Sequence, residues 1–184
     1  MAWVSPRTWT SGETLSGSTA ASGLNVQLSG NLSAMRNCWD MLVRLSLSAN
    51  HSIANSANTS VVWDTMDFEA SSNTTMWAAA SGARLIAPVA GRYELAGTLE
   101  WVSNTSGARA SIWSMNGTTD YQISADICIN PNKGFNNSIG ALVNLTTADH
   151  VQIKAWQNSG AALNLHGGTP DRSHVCWRFV GAAS

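Results

Sequence analysis

Residues able to do chemistry are few in this chain, and their spacing matches no catalytic or metal-binding motif. The histidines have neither His-X-X-X-His nor His-Glu-X-X-His spacing, and they are His51, His150, His166 and His174. The sequence also has no P-loop, no Gly-X-Ser-X-Gly nucleophile elbow and no dinucleotide-binding fingerprint. We therefore expect a protein that is not an enzyme and that holds no cofactor.

Closely spaced carboxylates are the best candidates for catalysis, because two of them on either side of a sugar can cleave a glycosidic bond. Asp64, Asp67 and Glu69 lie in one short stretch of sequence. On a strand, however, Asp67 and Glu69 share one face and Asp64 points to the other. We therefore interpret them as solvated polar side chains.

Aspartates in the turns could bind calcium, since carboxylate and amide oxygens are the ligands that Ca²⁺ prefers. Asp120, Asp126 and Asp149 have asparagines nearby, but none of these stretches has a regular spacing of oxygen ligands. The three cysteines are odd in number and widely separated, which argues against a disulfide framework and a zinc site. The sequence therefore predicts no metal site.

The charge of the chain limits its partners. Its 184 residues carry a net charge of −1, and only 11% of them are charged. Such a surface does not attract nucleic acid over a distance, so no nucleic-acid partner is expected. No apolar run approaches the roughly 18 residues of a membrane span, and no basic segment precedes a hydrophobic one. We expect neither a membrane anchor nor a signal peptide.

Strand periodicity is the main structural signal. Between Arg84 and Gln157, apolar and polar residues alternate, and Gly, Asn or Pro repeatedly interrupts the alternation. This pattern is typical of antiparallel strands with one buried face. Strands are predicted at 61–69, 83–87, 91–102, 108–115, 121–129, 138–145, 150–157 and 174–181. The predicted fold is mainly β, an antiparallel jelly-roll β-sandwich preceded by an N-terminal arm and one helix.

The chain before these strands has a different pattern. The arm of residues 1–15 carries Trp3 and Trp9, which need a surface to dock on, either in this chain or in another. One helix is predicted from Thr19 to Leu47. Its heptad-like seam consists of Leu28, Leu32, Met35, Trp39 and Leu42. So short a seam is either a stem that needs a self-associating domain or an amphipathic helix lying on its own domain. Residues 50–60 are the predicted linker.

The nine tryptophans exceed what one core of this size needs. Trp113 and Trp156 fall on strand faces opposite to Ile112 and Ile153, which predicts that both lie outside the sandwich core. Aromatic residues in such places often mark an interface. We therefore treat these two as a candidate ligand or partner surface.

Several motifs resemble one family. Leu85-Ile-Ala-Pro-Val-Ala-Gly-Arg-Tyr, followed by Asn116-Gly and Ala148-Asp-His-Val, is similar to the jelly roll of tumour-necrosis-factor and complement globular heads, in the form carried by structural proteins of tailed bacteriophages. The family commonly has Gly where this chain has Ala148. The stretch Trp3-Val-Ser-Pro-Arg-Thr-Trp9 resembles the leader of phage virion proteins.

The resemblance implies a homotrimer around a threefold axis. Residues 1–50 are then an anchoring arm and trimerisation helix, and residues 61–184 are the jelly-roll domain. The helical seam would begin a three-stranded stem, and the axial sheet would supply further interface residues. These are Tyr93, Trp101, Trp177 and Phe179.

Three functions remain open. The first is a capsid decoration protein or short head fibre on the virion surface, attached to other virion proteins, such as the major capsid protein, through Trp3 and Trp9. The second is a tail fibre or minor tail protein that binds host-surface glycan through Trp113 and Trp156. The third, a glycan-degrading enzyme, lacks a catalytic constellation. The short anchor and single domain favour the first.

Overall fold

The computed structural model describes Leu32 and residues 41–70, 75–127, 135–169 and 172–181. Leu32 is helical, and the other ranges form strands and one turn of 3₁₀ helix, Ala79–Ser81. The strands are β1 Leu42–Ser46, β2 His51–Ile53, β3 Thr59–Ser60, β4 Thr65–Ala70, β5 Leu85–Ile86, β6 Gly91–Trp101, β7 Ala108–Met115, β8 Thr119–Ile127, β9 Phe135–Leu145, β10 His150–Gln157, β11 Leu163–Leu165 and β12 His174–Gly181. No helix in these ranges is long and apolar enough to cross a membrane.

The strands form two antiparallel sheets. In the seven-stranded sheet the order is β2-β11-β6-β12-β1-β4, and β9 pairs with the remaining side of β6. In the five-stranded sheet the order is β3-β10-β7-β8, and β5 also pairs with β10. The predicted antiparallel jelly-roll β-sandwich is therefore confirmed.

Alternation along the strands explains how the two sheets pack. In β6, Tyr93, Leu95 and Trp101 are 0%, 1% and 0% exposed, whereas Glu94 between them is exposed. The Tyr93 ring stacks on Trp177 of β12, with centroids 4.8 Å apart. Burying one large aromatic side chain contributes at most about 4–6 kcal/mol. These rings therefore stabilise the core between the sheets.

The four aromatic residues expected at a trimer interface lie inside the single chain. Tyr93 and Trp101 are fully buried, and Trp177 and Phe179 are 1% and 8% exposed. They occupy the strand positions that face the second sheet, and Tyr93 contacts Phe179 edge to face. The expectation that neighbouring copies cover them is wrong, because this chain's own second sheet does so.

One of the two tryptophans expected outside the core lies within it. Trp113 on β7 is fully buried and in register with Ile153 on β10, so both face the seven-stranded sheet. Ile112 is in register with Lys154, on the outer face. The prediction is wrong for Trp113 because Ile112 and Ile153 do not share a face. Trp156 does lie on the outer face, where it is half-buried.

The predicted helix does not reach Leu47. Residues 42–46 form β1, which pairs with β12 on one side and with β4 on the other. Val43, Leu45 and Leu47 are buried at alternate positions, so this stretch follows a period of two rather than the helical period. Strand pairing on both sides outweighs the heptad-like spacing.

Most of the remaining residues of the arm and the seam are not among the residues that the structure describes. Leu42 of the seam lies in β1, and Leu32 is 62% exposed. The others are not among the described residues, and they are Trp3, Trp9, Leu28, Met35 and Trp39.

The jelly roll begins earlier than predicted. The stretch 50–60, predicted as a linker, contains β2 and β3, and Ile53 in β2 is fully buried. Since β1 also belongs to the larger sheet, the domain starts before residue 61. The division of the chain at residue 50 is therefore wrong.

Two predicted turns adopt left-handed backbone conformations. Asn116 and Gly117, between β7 and β8, have φ of 51° and 75°, which Asn-Gly turns accommodate. Ala148 has φ of 72°, a conformation that favours glycine. The Asn116 side chain donates to Asp149 Oδ1 at 2.9 Å and accepts from the His150 N–H at 2.9 Å. These bonds tie the two turns together.

Candidate functional site

Two of the three carboxylates considered for catalysis, Asp64 and Glu69, accept hydrogen bonds from backbone N–H groups. Asp64 accepts hydrogen bonds from the N–H and the hydroxyl of Ser48 at 2.7 and 2.6 Å. Burial raises the pKa of Asp64, but the hydrogen bonds from Ser48 and Thr65 outweigh it and keep that pKa below its ordinary value. Glu69 accepts from the N–H of Met76 at 2.9 Å. Among the described residues, no group of three His, Cys, Asp or Glu side chains could hold a metal ion.

The outer face of the seven-stranded sheet has the most unusual composition. At its centre Cys176, Ala96 and Gly140 are in register across β12, β6 and β9. Their small side chains leave a shallow cavity of about 310 Å³, which we name the trough. The trough is lined by Ala96, Gly97, Thr98, Ser138, Ile139, Gly140, His174 and Cys176.

Large apolar side chains stand on both sides of the trough. Phe68 on β4 is 44% exposed, and Leu142 on β9 is 59% exposed. These strands are the opposite edges of the five-strand series β4-β1-β12-β6-β9, and we name the two residues the apolar rims. Val180, near the end of β12, is 53% exposed. These exposed apolar side chains make this sheet face a candidate for packing against protein.

Two pairs of opposite charges on this face lie within the chain. Arg178 Nε donates to Glu94 Oε2 at 2.5 Å across β12 and β6, and Arg44 Nε lies 3.4 Å from Asp67 Oδ2. Burial raises the pKa of the Cys176 thiol in the trough, so this group is neutral at physiological pH. The arrangement offers packing and hydrogen bonding rather than a nucleophile or an acid–base pair.

Sequence reasoning missed this face because it followed the tryptophans. The signal that could have found it is an apolar residue in a polar position. Phe68 stands between Asp67 and Glu69, and Leu142 falls on the face of β9 opposite Ile139 and Val143. Buried aromatic residues indicate the core, whereas apolar residues at strand positions that face solvent indicate a candidate contact surface.

The fold defines a jelly-roll β-sandwich of the tumour-necrosis-factor type. Eiger TNF from S. frugiperda superposes with a TM-score of 0.61 at 11% identity, over 78% of this chain and 94% of that one. Murine APRIL at pH 5.0 superposes with a TM-score of 0.56 at 12% identity, over 74% of this chain and 95% of that one. At these identities the likeness shows a shared fold. No protein-family model and no curated protein sequence matches the chain.

Proposed function

We propose that this protein is a non-enzymatic structural protein that assembles as a homotrimer through the outer face of its seven-stranded sheet. The observation that carries the proposal is the placement of the apolar rims, Phe68 and Leu142, on opposite edges of one face. A threefold ring closes by joining one patch of each subunit to a different patch of the next. Rims on opposite edges supply two such patches.

The paired charges of the face are compatible with the same assembly. Five strands about 4.8 Å apart and roughly 26 Å long present a face of roughly 600 Å², which the two neighbours in a trimer share. The ion pairs Arg44–Asp67 and Arg178–Glu94 lie within the chain, so a neighbour covers each of them as a pair rather than as a single charge. The motif resemblance to trimeric jelly-roll heads points the same way.

We further propose that the trimer is a capsid decoration protein or short head fibre on the surface of a tailed bacteriophage. Support comes from the Trp3 to Trp9 leader and the jelly-roll motifs, both of which resemble phage virion proteins. The tail-adhesin alternative relied on Trp113 and Trp156 as a shared surface, and Trp113 is buried in the core. Attachment to the major capsid protein through the N-terminal arm therefore remains the favoured role.

The assembly can be tested by charging one rim. Leu142→Glu should convert the trimer into a folded monomer, because each interface would bury an unpaired carboxylate. Ile123→Glu is the matched control, since Ile123 is 61% exposed on β8 of the other sheet. Light scattering should show a monomer for the first and a trimer for the second. A trimeric Leu142→Glu variant would contradict the proposed face.

The virion role is tested separately. Deleting residues 1–15 should release the trimer from particles while leaving its circular dichroism unchanged. Particles that keep the truncated protein at full occupancy would contradict anchoring by the arm, without bearing on the trimer.

A further inference from the structure

A second concave surface lies on the five-stranded sheet, whereas the trough lies on the seven-stranded sheet. Strand β10 pairs with β3 at Lys154 and with β5 at Val151, and Gln152 lies between these two pairings. The gap between β3 and β5 forms a cavity of about 500 Å³, which we name the notch. Ser60 and Val62 line it, together with residues 79–84 and Gln152.

Gln152 is the most informative residue of the notch. The residue is 8% exposed, and its amide makes no hydrogen bond to another described residue, but neither amide atom is fully cut off from solvent. Lys154, two residues along the same strand face, by contrast pairs with Asp120 at 3.1 Å. The amide of Gln152 is therefore available to a ligand.

Arg84 adds a positive charge at the rim of the notch. In the described ranges its guanidinium forms neither a hydrogen bond nor an ion pair. Burial lowers the pKa of His150, and the charge of Arg84 lowers it further, so the guanidinium lies near this imidazole. None of the described residues that line the notch is acidic. A free guanidinium in a concave site is suited to a carboxylate.

The rest of the lining fits a hydroxylated ring. Ser60 and Ser81 line the cavity, together with the apolar side chains of Val62 and Ala79. The cavity volume matches a small-ligand site, in which an apolar wall supports the ring and a few polar groups orient it.

We infer that the notch binds a carboxylate-bearing sugar residue of the uronic-acid type. Arg84 pairs with the carboxylate, Gln152 and the two serines hydrogen-bond the ring hydroxyls, and Val62 contacts the apolar side of the ring. The site lies on the sheet opposite the apolar rims, so it does not depend on the proposed trimer.

The test is an NMR titration of the full-length protein with methyl glucuronide and with the neutral methyl glucoside. Methyl glucuronide should give saturable shifts at the amides of Ser60, residues 81–84 and Gln152, with a Kd of about 1 mM, and methyl glucoside should bind about tenfold more weakly. Arg84→Gln should weaken glucuronide binding about tenfold. Lys154→Gln removes one positive charge from the same face outside the notch, and should change the Kd less than about twofold.

Three outcomes would overturn the inference. The first is the absence of saturable shifts up to about 50 mM glucuronide. The second is equal affinity for the glucoside, which would remove the role of Arg84. The third is competition by acetate at the same concentration as glucuronide, which would reduce the notch to a simple anion site. Arg84 is exposed, so its substitution leaves the core intact and keeps the test decisive.

Discussion

The outer faces of the two sheets differ in how their apolar side chains are covered. On the five-stranded sheet, Ala110 and Ile112 are each 5% exposed, and they lie in register with Trp156 and Lys154. Long side chains with apolar stems, like those of these partners, commonly cover neighbouring apolar groups. This face is covered by its own chain, except for single residues such as Ile123.

The outer face of the seven-stranded sheet has no such cover among the described residues. Its centre is the trough of small side chains, and its edges are the apolar rims, Phe68 and Leu142. The comparison teaches that the number of aromatic residues is a poor guide to an interface. The large rings are used inside the sandwich, and the surface suited to a neighbour is made of small residues between two exposed apolar ones.

The largest effect expected is on the core, and it tests whether the aromatic rings belong to the single chain. Trp177→Ala should lower the free energy of unfolding by about 3–5 kcal/mol, because it leaves a cavity between the sheets. Chemical denaturation of the variant measures this loss. A variant that keeps its stability but loses its quaternary structure would indicate that Trp177 lies at the trimer interface and not in the core.

The next effect is on assembly, and it tests the uncovered face. Ala96→Arg places a long charged side chain in the trough and should dissociate the trimer while leaving the monomer folded. Sedimentation over a concentration series measures the change. Ile123→Arg introduces the same charge on the other sheet and should leave the trimer intact. If both variants dissociated, or both remained trimeric, the two sheet faces would not differ in their role in assembly.

A smaller effect is expected where β9 of the larger sheet turns into β10 of the smaller one. Ala148→Gly should raise the free energy of unfolding by about 1 kcal/mol, because φ of 72° strains an alanine and not a glycine. Thermal unfolding measures the gain. Ala90→Gly is the control, since Ala90 does not have a positive φ, and it should not stabilise the fold. No gain for Ala148→Gly would contradict the turn conformation.

The smallest effect concerns the notch on the five-stranded sheet. His150 has a pKa below its ordinary value of 6.5, because burial and then the Arg84 charge disfavour the imidazolium. The imidazole of His150 therefore binds a proton more readily in the unfolded chain than in the folded one. The free energy of unfolding rises with pH between the pKa of His150 in the folded state and its pKa in the unfolded state. Arg84→Gln should raise the pKa of His150 in an NMR titration. An unchanged pKa of His150 would show that the charge of Arg84 does not affect this imidazole.

Much of the sandwich could be predicted because its strands carry their own signal. The alternation in β6 and β12 and the Asn116-Gly117 turn are local features, and the structure has them where the sequence placed them. The short strands β1, β2 and β3 depend on distant partners. Leu42–Ser46 becomes a strand only because β12 and β4 flank it, and a heptad-like spacing cannot reveal those partners.

The candidate site was harder to predict than the fold. The sequence shows that Trp113 and Trp156 alternate with other residues, but the register that separates Ile112 from Ile153 exists only once β7 and β10 pair. The trough depends on three strands being in register, so none of its residues is unusual in its own segment. Such a surface is a property of the paired sheet.

The native mass of the full-length protein in solution tests most directly whether the outer face of the seven-stranded sheet joins copies of this chain. One chain has a mass of 19.5 kDa, so light scattering should give three times that value, about 58 kDa, at micromolar concentration. A mass of 19.5 kDa that persists as the concentration rises would contradict the assembly.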